Sequence, residues 1–174
     1  MSSETIQAAE APFMQGATAI DPERCQTLLS AALEAGGDFA DLYFEYRRST
    51  SVSMEDGKVR SVGGGVDSGV GVRVVAGVGV GYAYSESLEM DDMLEAARTA
   101  GRIARSGSNH SVEVAVSRRE AANVYPVTDA VVDLEGAKRV ALLRRADAAA
   151  RAVSAKIVRV DASLVAVHKE VLVV

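Results

Sequence analysis

Polar and apolar residues alternate between positions 40 and 62 in a pattern that is typical of two paired β-strands. In the first strand the apolar side chains fall on one parity, at Leu42, Phe44, Tyr46, Val52 and Met54. A second run follows at 59–62, and Asp56-Gly57 lies between the two. Because Asp-Gly readily supplies the positive φ angles of a tight turn, the sequence predicts a β-hairpin that turns at 56–57.

Valine and glycine alternate through the next segment, residues 67–84. One parity carries Val70, Val72, Val74, Val78, Val80, Tyr82 and Tyr84, and the other carries Gly69, Gly71, Gly77, Gly79 and Gly81. This alternation predicts a second hairpin in which one face of the sheet is almost bare backbone. Glycine within a strand gives up cross-strand packing, so we expect that something approaches the glycine face closely.

The first of three segments with helical periodicity begins at Asp21. This residue is a good N-cap, and Pro22 occupies the first helical position. The shared apolar face comprises Cys25, Leu28, Leu29 and Ala32. Gly36-Gly37 follows and predicts the end of this short amphipathic helix.

Two longer helices are predicted at about 88–105 and 134–153. The inward positions of the earlier one are Met90, Met93, Leu94, Ala97, Gly101 and Ala104. Those of the later one are Val140, Leu143, Ala146, Ala150 and Val153. The basic residues of the later helix are most simply a solvated face.

The remaining segments predict short strands and connections. Residues 112–116 are a strand candidate, and an irregular stretch continues from there through Tyr125-Pro126. Residues 157–167 alternate like a strand, residues 168–170 predict a turn, and residues 171–174 predict a final strand. Together with the helices, these elements predict an α+β fold in which helices pack on one side of a mostly antiparallel sheet.

The pattern also predicts the domain organisation. Residues 1–20 are small and polar without periodicity, so we expect a flexible N-terminal arm. Residues 21–174 form one domain of a size that buries a real core. Because an unpaired apolar terminal strand is an aggregation hazard, the apolar run at 171–174 leads us to expect a domain truncated at its C-terminal end.

Composition narrows the class of protein. The net charge of −5 argues against nucleic-acid binding, which needs clustered cations in excess. A single cysteine, Cys25, excludes an internal disulfide. The first twenty residues contain Glu4 and Glu10 and lack a basic start or an apolar run, so we expect no secretion signal, no membrane span and a cytoplasmic location.

Residues suited to metal or thiol chemistry are sparse. The two histidines, His110 and His168, are predicted in separate loops or turns, and neither has a second histidine or a cysteine within one turn. A hydrolytic zinc site instead needs ligands held together on one element. Cys25 lies on an apolar helix face, where burial raises a thiol pKa, so a nucleophilic role is not expected.

Other candidate motifs also have simpler explanations. Phosphate-binding glycines join a strand to a helix, whereas the glycines of this chain alternate through strands. The carboxylate pairs Asp91-Asp92 and Glu55-Asp56 are adjacent in sequence and point apart. We therefore interpret them as helix-start and turn residues rather than as an acid/base pair.

Five stretches together resemble the N-terminal domain of the TldD/PmbA peptidase family, once described as modulators of DNA gyrase. They are 38–46, 55–59, 67–75, 81–84 and the helix with Ala96, Ala97 and Ala100. The most specific piece is Asp67-x-Gly-Val-Gly-Val-Arg73 followed by Gly81-Tyr-Ala-Tyr84. The resemblance covers about 21–174, and residues 125–127, the basic helix and 158–164 look more like the TldD-type subunit.

This resemblance implies a cytoplasmic zinc metallopeptidase that processes or degrades peptides as a homodimer, or as a heterodimer with a related subunit. In the family, the zinc-binding helix lies further along the chain than any residue of this sequence. No position here matches a catalytic or metal-binding residue, so we expect none, and the chain alone should be inert. The binding residues stay unknown.

Two functions of different classes follow. The first is the N-terminal scaffold of a zinc-dependent peptidase whose catalytic domain lies elsewhere. The second is a non-catalytic partner subunit or an interaction module for peptides or proteins with the same fold. Arg73, alone among small residues of its strand, is most simply an exposed charge, and a salt bridge with Asp67 or a contact with another domain is the alternative.

Overall fold

The computed structural model describes residues 19–105, 116 and 130–174. The helices of this part of the chain are α1 (Pro22–Leu33), α2 (Met90–Ala104), a 3-10 helix (Val131–Asp133) and α3 (Gly136–Val153). Its strands are β1 (Phe39–Glu55), β2 (Lys58–Ala76), β3 (Gly79–Ser85) and β4 (Asp161–Val173). They form one sheet in the order β3-β2-β1-β4. This antiparallel sheet with its helices confirms the predicted α+β class.

The chain divides into two compact units. The first contains, of the described residues, 19–46, 67–105, 116 and 170–174, and the second contains 47–66 and 130–169. Strands β1, β2 and β4 therefore each supply residues to both units.

Helix α1 forms in the first unit as the sequence predicts. Asp21 is its N-cap, and the Asp21 Oδ1 atom accepts a hydrogen bond of 2.8 Å from the Arg24 amide. Pro22 is the first helical residue, and Gly36 takes a φ of 100° after the helix ends. The predicted apolar face is buried, at Cys25, Leu28, Leu29 and Ala32.

The second hairpin also forms, but its two strands do not present the predicted faces. Val74 pairs with Gly81 and Arg73 pairs with Tyr82, so even positions of β2 share a face with odd positions of β3. The buried face of β2 carries Val70, Val72, Val74 and Ala76, whereas Val80, Tyr82 and Tyr84 of β3 are exposed. The expectation of one valine face and one glycine face is therefore wrong, because Gly77 and Val78 form a two-residue turn that exchanges parity.

Close approach at glycine does occur, and helix α2 is what approaches. A Cβ atom at Gly81 would lie 1.9 Å from the Ala100 carbonyl oxygen, and one at Gly79 would lie 2.5 Å from that of Ala104. On the other side of α2, a Cβ at Gly101 would lie 2.3 Å from the Ala32 carbonyl oxygen of α1. These glycines let the backbone of α2 contact both β3 and α1.

The first hairpin turns at Asp56 and Gly57, as predicted. Asp56 has a φ of 47° and Gly57 a φ of 73°, which is the left-handed geometry that joins two twisted strands tightly. The Asp56 carboxylate accepts hydrogen bonds from the Val160 amide at 3.1 Å and from Arg151 Nη2 at 2.5 Å. The turn is therefore bonded to helix α3 and to Val160, the residue just before β4, in the second unit.

The second unit has a small core. Leu143 of α3 is buried against Val52 and Met54 of β1. Ala146 and Val153 are exposed, although the periodicity of α3 predicted them on the apolar face. The periodicity therefore predicts a wider buried face of α3 than the structure shows.

Strand β4 differs from its prediction. It continues from Asp161 through Val173, so the turn predicted at 168–170 is wrong, and the strand begins after the predicted start at 157. In the first unit, the Leu42 and Val174 backbones exchange two hydrogen bonds of 2.9 Å each. Pairing of the backbone explains why polar residues at 168–170 do not interrupt the strand.

Several predictions fall outside the described residues. They are most of the flexible arm (1–18), most of the strand at 112–116 and the stretch around Tyr125-Pro126. Ile20, which precedes α1, is buried in the core of the first unit.

Replacing Gly81 with alanine is expected to lower the free energy of unfolding by about 1–3 kcal/mol or more, because the added methyl group overlaps the backbone of α2. Urea unfolding of the 174-residue chain, followed by circular dichroism, measures this change. Gly71→Ala is the matched control, since the nearest atom to its added Cβ lies 3.5 Å away. Equal losses in the two variants would contradict the close approach.

Replacing Asp56 with asparagine should make the free energy of unfolding depend less on pH in acid. Hydrogen bonds from the Val160 amide and then from Arg151 lower the pKa of Asp56 from its ordinary 3.8. Its charged form therefore stabilises the fold above that pH, and this contribution disappears as the pH falls through the lowered pKa. Unfolding free energies of the two proteins should converge in acid; a constant difference would contradict the prediction.

Candidate functional site

The face of the first unit's sheet that points away from α1 and α2 carries aromatic, charged and glycine residues. Leu42 and Phe44 of β1 are buried, so Asp41, Tyr43 and Glu45 lie on the opposite face. In the same way, the pairing of β2 with β3 puts Gly71, Arg73, Tyr82 and Tyr84 on that face.

A cleft of about 330 Å³ opens on this face. The residues that line it include Tyr43, Glu45, Asp67, Gly69, Gly71 and Tyr84. The Tyr43 hydroxyl donates a hydrogen bond of 3.1 Å to Glu45 Oε2. We refer to this feature as the glycine cleft, because Gly69 and Gly71 are among the residues that line it.

Arg73 is held beside the glycine cleft by an ion pair. Its Nε donates to Asp41 Oδ2 at 3.0 Å, and its Nη2 atom donates to the same oxygen. The guanidinium group lies 5.8 Å from the centre of the Phe39 ring, within the range of a cation–π contact. The alternative of a salt bridge with Asp67 is therefore wrong, because the partner is Asp41. The side chain is about half exposed, as the simpler interpretation expected of a strand charge, but it is paired.

The cysteine is a core residue, as predicted. Cys25 is only 4% exposed on α1. Burial raises the pKa of its thiol to about 11, and the negative charge of Asp21 adds to this increase. The reactive thiolate is therefore rare at neutral pH.

The predicted carboxylate pairs are structural. Asp91 and Asp92 lie in the first turn of α2, where negative charge complements the helix dipole. Glu55 ends β1 and pairs with Arg60 at 2.7 Å and with Arg159 at 2.8 Å.

The described residues do not fit a zinc ion. Among them, no group of three or more His, Cys, Asp or Glu side chains is arranged to hold a metal. His168 lies within strand β4, which corrects its predicted position in a turn, and His110 is outside the described residues. None of the helices in the described ranges has the length and hydropathy to span a membrane.

Sequence reasoning did not find the glycine cleft. It assigned Tyr82 and Tyr84 to the valine face, so the aromatic residues and glycines were never placed together. The signal that reveals the cleft is the spacing of the Gly77-Val78 turn, because a two-residue loop pairs even positions with odd ones.

Comparison with known proteins identifies the fold family. Residues 40–104 match the model of PmbA/TldA metallopeptidase domain 1. A metalloprotease TldD homologue of Haemophilus influenzae is 32% identical over 143 residues, or 78% of this chain and 28% of that protein. One from Buchnera aphidicola subsp. Schizaphis graminum is 28% identical over 137 residues, again covering 28% of its length.

Solved structures show the same fold. A modulator of DNA gyrase from Bacteroides thetaiotaomicron aligns with a TM-score of 0.64 and 13% identity over 87% of this chain and 36% of the other. TldE from Thermococcus kodakarensis aligns with a TM-score of 0.56 and 15% identity over 86% and 34%.

The chain belongs to the TldD/PmbA metallopeptidase family, as the sequence resemblance indicated, and its match is to the first domain. Three of its curated relatives are named metalloprotease TldD homologues. The chain spans 28% of the length of these relatives.

Alkylation of Cys25 by iodoacetamide should be much slower in the folded chain than in urea. At a pH one unit below the ordinary pKa of 9.0, a pKa of about 11 leaves roughly a hundredfold fewer thiolates. Mass spectrometry across a pH series measures both rates. Equal rates in the folded and unfolded chains would contradict the burial of this thiol.

Proposed function

We propose that this chain is the N-terminal scaffold of a zinc-dependent peptidase that processes or degrades peptides. The observation that carries the proposal is the match of residues 40–104 to the first domain of a metallopeptidase family. The names of the curated relatives support it, since they are metalloproteases of which this chain spans 28%. The metal centre would then belong to the rest of a longer polypeptide.

The chain's own contribution would be a shaped surface. Helices α1 and α2 cover one face of the sheet in the first unit, and the glycine contacts of α2 set how closely it packs. The opposite face keeps its aromatic and charged residues accessible. Under this proposal the scaffold shapes access of the peptide to the metal centre, while the water activated by the metal performs the hydrolysis.

A second candidate function is a non-catalytic partner subunit of the same fold. The similarity in fold to TldE is the observation that supports this second candidate. Such a subunit would act in a heterodimer with a related metallopeptidase, and it would bind peptide or partner without retaining zinc. A homodimeric peptidase is the corresponding assembly for the first candidate.

The test compares the full-length protein that contains this chain with the chain itself. We expect the full-length protein to bind zinc and to cleave unstructured peptides, to lose this activity on treatment with phenanthroline, and to regain it with added zinc. The 174-residue chain should cleave none of the peptides under the same conditions. Metal analysis and mass spectrometry of the peptide products provide the measurements.

The outcomes separate the candidates. A full-length protein that retains no zinc and cleaves nothing, but binds a related subunit, would support the partner function and contradict the scaffold of a peptidase. Chelator-sensitive cleavage by the 174-residue chain alone would contradict both.

A further inference from the structure

The first half of strand β2 is exposed on both faces. Every residue from 58 to 66 is exposed, although successive side chains of a strand point to opposite faces. Strand β3 pairs only with the later half, from Val70 to Ala76. In the described part of the chain, residues 58–66 are therefore the outermost strand of the second unit. We refer to them as the open edge, because a free strand edge is a template for pairing with another chain.

Backbone groups at alternate residues point to the free side of the open edge. In the hairpin turn, the Asp56 amide donates to the Val160 carbonyl oxygen at 2.9 Å, so even positions of this strand bond towards β4 and odd positions towards β2. Ser53 Oγ lies 2.6 Å from Ser61 Oγ, which aligns odd positions of β1 with odd positions of β2. The even positions of β2 therefore direct their N–H and C=O groups to the free side, at Val62, Gly64 and Val66.

Packing within the chain does not explain all the glycines of the open edge. A Cβ atom at Gly65 would meet nothing within 4 Å, and one at Gly63 would meet only Ser51 Oγ, at 3.1 Å. Gly64 differs, since its Cβ would lie 2.8 Å from the Ser49 carbonyl oxygen. Glycine within a strand gives up packing and often marks the close approach of another backbone.

The sequence of the open edge is complementary to itself. Two copies that pair antiparallel about a two-fold axis through the sheet keep each side chain on its own face, so positions of equal parity lie opposite each other. With Gly64 on the axis, Val62 of each copy lies opposite Val66 of the other. Gly63 then lies opposite Gly65 on the other face. The four valines form one apolar cluster, on the side of the sheet that α3 covers in each copy.

A second copy would cover side chains that the second unit leaves in water. The buried core of this unit is small, and Val62 and Val66 are 69% and 61% exposed. Pairing would bury part of both valines in each copy and satisfy the outward N–H and C=O groups. One strand pair buries less than the roughly 1,200 Å² of a standard stable interface, so we expect a dimer that dissociates on dilution.

We propose that the open edge pairs with the open edge of a second copy of this chain, antiparallel about a two-fold axis at Gly64. The β2 strands of the two copies then become neighbours in one sheet. The inference rests on the homodimeric assembly in the proposed function and names its interface. Pairing itself requires neither zinc nor hydrolysis.

Cysteine crosslinking tests the register. The Val62→Cys/Val66→Cys variant of the 174-residue chain, kept with oxidised glutathione, should form a covalent dimer that joins position 62 of each copy to position 66 of the other. Opposed residues of a hydrogen-bonded antiparallel pair have Cα atoms about 5.5 Å apart, a separation that a disulfide spans. Within one copy the two positions are roughly 13 Å apart, which prevents an internal disulfide. Mass spectrometry of digests identifies the linked peptides.

The single variants are the matched controls. Val62→Cys alone and Val66→Cys alone should give no crosslink, because equal positions of the two copies are also more than roughly 13 Å apart in this register. An equal mixture of the two variants should crosslink. The unmodified chain gives the background, since its single cysteine is the buried Cys25.

Sedimentation velocity measures the association without a crosslink, and the unmodified chain should show a reversible dimer at millimolar concentration. Val62→Lys/Val66→Lys places lysine opposite lysine twice, and like charges in opposed positions destabilise paired strands. The dissociation constant should therefore rise at least about tenfold. Val78→Lys/Val80→Lys is the control, because it adds the same charge at two exposed valines of the first unit and should leave the dimer unchanged.

Urea unfolding shows whether the lysine variant is folded. If it is not, Val66→Pro replaces it, since proline at an edge removes one outward N–H group. A chain that stays monomeric at millimolar concentration would overturn the proposal, even if an extended peptide bound the same edge. So would crosslinks between equal positions, no crosslink in the double cysteine variant, or a dimer that the folded edge variants do not weaken. Loss of zinc or of peptidase activity would not change these results, so the two proposals fail separately.

Discussion

The packing of helix α2 depends on direct contact between backbones. Gly79 and Gly81 remove the side chains of β3 where the helix crosses it, and Gly101 removes one from the helix where it meets α1. Larger residues would separate these layers, since a Cβ at Gly81 would overlap the helix. A core with few aromatic side chains gains dense packing in this way, because small residues allow the layers to approach.

The parts of the fold that could be predicted are those with a local physical cause. The Asp56-Gly57 turn follows from the backbone preferences of its two residues, and the start of α1 follows from Asp21 as an N-cap and Pro22 after it. The prediction that glycine allows a close approach was also correct, although the sequence did not indicate which element approaches.

The parts that could not be predicted depend on pairing between distant segments. The face of β3 depends on a turn of two residues, and a shift of one position exchanges every side chain between core and solvent. The polar residues at 168–170 suggested a break, but backbone pairing of β4 keeps the strand continuous. For the same reason, the glycine cleft could not be predicted from the sequence, because it depends on the register that pairs Gly71 with Tyr84.

The Gly77-Val78 turn limits how the length of this loop can change during evolution. One inserted or deleted residue would bring Tyr82 and Tyr84 beneath α2, where the helix leaves no room for a ring, and would expose the small residues that now meet it. Substitution of the exposed Val78 is compatible with the hairpin, whereas a side chain at Gly77, which has a φ of 58°, and odd changes in length are not. Homologues that keep this packing should therefore vary the residue at position 78 more readily than the number of residues in the loop.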